Sequence, residues 1–266
     1  MDHHPTNWGR PRDDRLDAYS TFPIHSRPRP STDVFSDAVQ RTQQPIVTGT
    51  SVIGLKYKGG IMLAADNLAS YGSLARYKDV QRLHPVGAST VIGAGGDMSD
   101  FQHIQHMLDS LVTEEFTYDD GNTLGPTEIF EYLKRVMYGR RSNMNPLWNA
   151  LVVGGVKPDG ESFLGYVDLL GTTYQSPTIA TGFGAYIAQP LLRNAVDNRT
   201  EPLSETDAVR VIQECMKSLF YRDARSLNKY QIAKVDKDGV TISDPISAPT
   251  VWGFAEGIRG YGAQTQ

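Results

Sequence analysis

Several groupings of side chains in this 266-residue sequence have the types and spacing for chemistry. Gly93-Ala94-Gly95-Gly96, ahead of an apolar periodic run, could cradle a phosphate at a helix N-terminus. Its spacing matches neither glycine-loop fingerprint, so a tight turn is expected instead. His103 and His106, three apart in a helical run, could touch a metal ion. No further Cys, His or clustered carboxylate completes a site, so the pair is expected on a solvated helix face, with no metal and no cofactor implied. Cys215 is the only cysteine and sits among apolar neighbours. It has no partner for an internal disulfide and reads as core filler in a reducing compartment. Asn198-Arg199-Thr200 would be a glycosylation acceptor only in a secreted protein, and reads as a polar turn between helices.

The elements that must position any site begin after a leader. Residues 1–41 are rich in Pro, Arg, Asp, Ser and His, with too few apolar side chains to repay the entropy of ordering. Asp13, Asp14 and Asp17 argue against a mitochondrial transit peptide. From Val52 to Tyr57, a Lys58-Gly59-Gly60 turn and Ile61 to Ala65, the pattern is a hairpin with a buried second strand. Phe101, Ile104, Leu108, Leu111 and Val112 predict a first helix, and Pro126 opens a second that ends at Gly139-Arg140-Arg141. Ala150 to Val156 and Ser162 to Val167, around Lys157-Pro158-Asp159-Gly160, predict a second hairpin. Helices follow after Gly184 and from Ser204, where Asp207 forms a partial capping box. A last hairpin is expected from Gln231 to Ile242. This order suits two sheets packed face to face with helices on both outer surfaces, an α+β, four-layer αββα sandwich over residues 42–245, followed by a tail over 246–266.

Composition narrows the partners. With 39% apolar residues the chain can bury a core, and a net charge of -4 with pI about 5.9 forces no face to be basic, so no nucleic-acid partner is expected. No apolar run has the length of a membrane span or a signal peptide, so a soluble, intracellular protein with no membrane partner is expected.

Gly49-Thr50-Ser51-Val52-Ile53-Gly54-Leu55-Lys56-Tyr57, followed by Ile61 to Asp66, resembles the start of a mature proteasome beta subunit. The separation of Thr50 and Asp66, 16 residues, is the family's separation of nucleophile and buried aspartate. Arg140 to Asn149, Ala180 to Ala185 and Tyr221 to Ser226 are similar to one beta type of that family, and the likeness runs from Thr42 to Gln266. The resemblance implies the N-terminal nucleophile (Ntn) hydrolase fold. It also implies a catalytic set of threonine hydroxyl, its own free amine as base, a lysine and an aspartate.

Thr50 and Asp66 stand at family positions, but the lysine's place, 32 residues after Thr50, holds Arg82, and the active-site serine's place holds Phe183. Asp223 and Ser226 match the later pair. A guanidinium stays protonated and cannot share a proton as a desolvated lysine can. By resemblance, self-cleavage after Gly49 needs that lysine, so a neighbouring subunit would trim the leader between Arg41 and Thr42, leaving Thr50 with an amide nitrogen that accepts no proton. The expectation is a non-catalytic structural subunit of the 20S core in the cytoplasm and nucleus, with Thr50, Asp66, Arg82, Asp223 and Ser226 as relics, the last four forming a buried, hydrogen-bonded ion network. The implied partners are the alpha ring, the sixth and first beta types, assembly chaperones, and the opposite beta ring, reached through Val251 to Gln266 with Trp252, Phe254 and Tyr261. An active threonine endopeptidase with Thr50 as nucleophile, and a free-standing hydrolase of the same fold, are the alternatives.

Overall fold

The computed structural model describes residues 43–118, 120–197, 199–253 and 255. Its first strand is one the sequence pattern did not announce. β1 (Val47–Gly49) precedes the expected hairpin of β2 (Val52–Tyr57) and β3 (Gly60–Asp66). Short strands β4 (Ala69–Tyr71), β5 (Leu74–Tyr77) and β6 (Leu83–Val86) lead to β7 (Thr90–Asp97), then helices α1 (Met98–Tyr118) and α2 (Pro126–Ser142). The second hairpin is β8 (Asn149–Val156) and β9 (Ser162–Val167), followed by β10 (Thr173–Gln175) and β11 (Thr178–Ala180). Helices α3 (Gly184–Val196) and α4 (Glu205–Arg222) come before the last hairpin, β12 (Tyr230–Asp236) and β13 (Gly239–Ile242).

One sheet runs β10-β9-β8-β7-β1-β4-β5, with β6 also on β7, and the other runs β11-β2-β3-β12-β13. Their facing sides close on Val52, Ile61, Leu63, Val91, Val152 and Leu164. Ile53, Leu55 and Ala64 pack outward onto α3 and α4 through Leu192, Ile212 and Leu219. On the other outer side Ile92, Leu151 and Phe163 meet Phe101 and Ile104 of α1 and Phe130 of α2. The strand period of two divides each buried strand between layers, which is why the central strands read as apolar throughout. Burial of each such side chain contributes about 1.5–3 kcal/mol. The αββα sandwich is therefore the fold, as the family resemblance implies.

Helix ends are fixed by local chemistry. Ser204 Oγ accepts the Asp207 N–H at 3.2 Å to start α4, and Glu128 Oε2 accepts the Gly125 N–H at 2.9 Å beside Pro126 to start α2. Asp97 Oδ1 accepts the amides of Ser99 and Asp100 to start α1.

The expected tight turn at Gly93-Ala94-Gly95-Gly96 is not there: all four residues lie in β7. Glycine serves close approach here. A Cβ on Gly93 would lie 2.6 Å from Val52 Cγ1, and one on Gly95 would lie 2.7 Å from Thr50 O. The leader 1–41 with the Arg41–Thr42 bond, Asn198, Phe254 and the tail from 256 lie outside the described residues.

The outer layer yields a test. A Cβ on Gly165 would lie 2.5 Å from Phe130 Cε2, whose ring meets Phe163 edge-on at 5.2 Å. Gly165→Ala should wedge α2 outward and cost about 1–3 kcal/mol, read as a lower midpoint in thermal unfolding of the purified chain. An unchanged midpoint would contradict this packing.

Candidate functional site

The crossing from β1 to β2 carries the chain from one sheet to the other, and Thr50 and Ser51 sit in that crossing. Beneath it lies Arg82, 1% exposed and among the largest fully buried side chains. Its Nε donates to Asp66 O at 2.8 Å. One terminal nitrogen donates to Thr50 O and Ala94 O, both at 3.0 Å. The other donates to Ser51 O at 2.8 Å and to the Asp66 carboxylate. An arginine has five N–H donors, and each is used.

Asp66 closes β3 at 2% exposure, and its second oxygen accepts the Leu227 N–H at 3.1 Å. Burial pushes its carboxyl above the ordinary carboxylate range, while the Arg82 guanidinium and the Leu227 amide pull it down. A charge this deep persists only with a partner and hydrogen bonds to its remaining atoms, and both are supplied here.

Thr50 Oγ donates to Asp223 Oδ2 at 2.6 Å. Asp223 follows α4, and its other oxygen accepts the Arg225 N–H at 2.9 Å. Ser226 Oγ donates to the Asp223 carbonyl at 2.7 Å, so it braces the loop from 223 to 227. Thr50, Asp66, Arg82 and Asp223 thus come together, but not as one ion network. Arg82 holds Asp66 and the backbone, and Asp223 holds Thr50. Among the described contacts, Ser226 touches neither Arg82 nor Asp66 through its side chain.

Phe183 is 44% exposed and meets Tyr186 edge-on, turned outward at the start of α3. The hydroxyl that organises this turn comes from Ser51, whose Oγ accepts the Gly184 N–H at 2.8 Å. Thr181 Oγ likewise accepts the Val52 N–H at 3.0 Å. Sequence reasoning missed Ser51 and Thr181. It also missed Asp97, whose second oxygen accepts the Ile46 N–H at 2.8 Å. An aspartate one residue before a helical run is a helix-start signal that would have found it.

β1 is held on both edges. Val47 and Thr48 pair with Tyr71 and Ser70 of β4, while Thr48 and Gly49 pair with Asp97 and Gly96 of β7. A cleft of about 330 Å³ beside it is lined by Thr48, Thr50, Gly95, Trp148 and Gly182. A Cβ on Gly49 would lie 2.5 Å from Arg82 Cδ, so the buried guanidinium stem dictates glycine before Thr50.

His103 and His106 are exposed on α1, and no group of three or more metal-ligating side chains occurs among the described residues. Cys215 is buried in α4 against the five-stranded sheet, and burial pushes its thiol up to about 12, which makes it unreactive. No described helix is long and apolar enough to cross a membrane.

Residues 46–235 match the proteasome subunit family. The chain is 49% identical to proteasome subunit beta type-7 of Saccharomyces cerevisiae, over 99% of each chain. It is 50% identical to proteasome subunit beta type-4 of Xenopus laevis, over 84% of this chain and 91% of the relative. With the sandwich, the threonine between the sheets and its aspartates in place, the chain belongs to the proteasome subunit family, in the beta type numbered seven in yeast and four in vertebrates.

Proposed function

We propose that this chain is a structural, non-catalytic subunit of the 20S core particle, closing the proteolytic chamber and serving assembly while other subunits cut. The observation that carries this reading is the place of β1, which joins β7 to β4 inside the larger sheet. Removing the residues before Thr50 would leave the β4–β5 hairpin without a partner strand. Any extended peptide pairing with β4 and β7 would need the position β1 fills. Retained, β1 keeps Thr50's nitrogen in an amide, which is no base.

Arg82 removes the other requirement. Its five donors are all committed, and a guanidinium does not give up its proton as a desolvated lysine can, so Arg82 relays none at Thr50. Thr50, Asp66, Arg82, Asp223 and Ser226 are, in this reading, a catalytic set turned into a structural one. Trimming between Arg41 and Thr42 by a neighbouring subunit is compatible with a strand that starts at Val47. The partners are the alpha ring, the sixth and first beta types, assembly chaperones and the opposite beta ring, in cytoplasm and nucleus. Trp252 packs edge-on to Tyr221 of α4 at 5.0 Å, which anchors the start of the segment proposed to reach that ring.

In purified particles, mass spectrometry of this chain should find Val47 to Gly49 still attached. An epoxyketone probe should leave Thr50 unmodified, and Thr50→Ala should leave peptide cleavage by the particle unchanged. A chain beginning at Thr50, or a Thr50 adduct, would overturn the proposal. Arg82→Lys supplies three donors where five are needed and leaves buried acceptors bare. It should cost about 2–4 kcal/mol, lowering the thermal midpoint by roughly 5–15 °C, with no gain of peptidase activity. A variant as stable as the parent would contradict this account of Arg82.

A further inference from the structure

The stretch from Arg140 to Asn149 closes α2, leads into β8 and reaches the segment ahead of β1. The Gln43 side-chain amide donates to Asn145 Oδ1, and Pro45 shares the wall of a cleft with Trp148 and Asn149.

Between that loop and β1 stands Asp97, 7% exposed at the end of β7. The loop fixes its backbone: the Asp97 N–H donates to Trp148 O, and the Asp97 carbonyl accepts from Asn149 Nδ2, both at 2.8 Å. Trp148 is held in turn, because its own N–H donates to Asp100 Oδ2 at 2.8 Å. The approach is so close that a Cβ on Gly96 would lie 2.0 Å from Trp148 O. With its backbone seated, Asp97 gives its two carboxylate oxygens to different segments. Oδ1 accepts the Ser99 and Asp100 amides that open α1, and Oδ2 accepts the Ile46 N–H at 2.8 Å, one residue before β1.

A helix start needs one acceptor, which serine or asparagine supplies as well as aspartate. Of these three only aspartate brings a second, since serine has a single oxygen and asparagine would turn an NH₂ group toward Ile46. The residue type at position 97 therefore answers to the segment before β1 as well as to α1. β1 has three residues, and an entering strand that short frays unless its start is tied down.

We infer that Asp97, seated by Trp148 and Asn149, is the latch that keeps β1 in the sheet and sets how far the leader can be trimmed. Such a latch matters only where β1 is retained, as proposed above. A protease acts on a segment that has opened, so cleavage just before Thr50 waits for Ile46 to leave Asp97. Asp97 is a positioning residue here: it touches neither Thr50 nor Arg82 among the described contacts and acts through the strand.

Asp97→Ser in intact particles keeps an acceptor for α1 and removes the one for Ile46. Amide hydrogen exchange, read by peptide mass spectrometry, should quicken about tenfold or more over residues 46–49, while the first turn of α1 exchanges as in the parent. Thermolysin, which cuts before isoleucine and valine, should clip the chain ahead of Ile46 or Val47 faster by a similar factor. Unchanged exchange and clipping would overturn the latch. An equal rise over α1 would reduce Asp97 to a helix cap and overturn it too. Where the serine variant does not enter particles, Asp97→Asn, of the same size, is read in the same way; exclusion of both would make Asp97 a folding residue and sink the proposal. In all these outcomes the parent chain still carries β1 and the proposed function stands, whereas a parent chain that begins at Thr50 removes that function and the latch together.

Discussion

Five hydrogen bonds from one guanidinium hold together the end of the molecule where the two sheets meet. Arg82 reaches Thr50 and Ser51 in the crossing between the sheets, Asp66 at the end of β3 and Ala94 in β7. Burying a cation costs several kcal/mol after relaxation, and that cost is offset only when every donor finds an acceptor in good geometry. Here four carbonyl oxygens and one carboxylate supply them. The planar fork matters as much as the charge, because a single ammonium has three donors radiating from one point and cannot span acceptors on both sheets.

That commitment propagates. The Arg82 stem lies against Gly49, so only glycine fits before Thr50. The guanidinium takes the carbonyl of Thr50, and the threonine's hydroxyl turns to Asp223, itself fixed by the loop that Ser226 braces. Asp97 adds a second anchor, serving at once as the start of α1 and as the acceptor for Ile46. The segment before the threonine is therefore tied down from both sides, by pairing along its edges and by an aspartate whose other oxygen the helix needs.

Much of this was legible in the residues, for physical reasons. The β2–β3 and β8–β9 hairpins combine long apolar runs with turn chemistry, and α2 and α4 carry apolar stripes with defined starts, so pattern and structure coincide. The family positions 16 and 32 residues after Thr50 also picked out Asp66 and Arg82, two side chains that do touch. What stayed hidden was short or depended on distant partners. β1, β4 and β5 have three or four residues each, too few for a period to register, and they exist because they pair with one another and with β7. The glycines of β7 signalled a turn because local propensity cannot reveal that a Cβ on Gly93 would meet Val52 of another strand at 2.6 Å. Ser51 and Thr181 were invisible for the same reason: their hydroxyls satisfy amides that only the fold brings near.

In the proposed non-catalytic reading, the arginine at the family's lysine position and an unreleased β1 are not two independent losses. Suppose an amine stood at position 82 again: Thr50's nitrogen would still be an amide, because β1 would still be bound between β4 and β7. Suppose instead that β1 were cut away: a guanidinium would still hold its proton beside the freed threonine, and the β4–β5 hairpin would have lost the strand that joins it to the sheet. Each change removes the penalty for the other. Without a free amine no lysine is needed, and an arginine can serve as a bridge between sheets; without proton transfer nothing is gained by release, and the upstream strand can complete the sheet. On that reading the two stabilise one another as a structural solution, and a single reversal recovers neither the chemistry nor the stability.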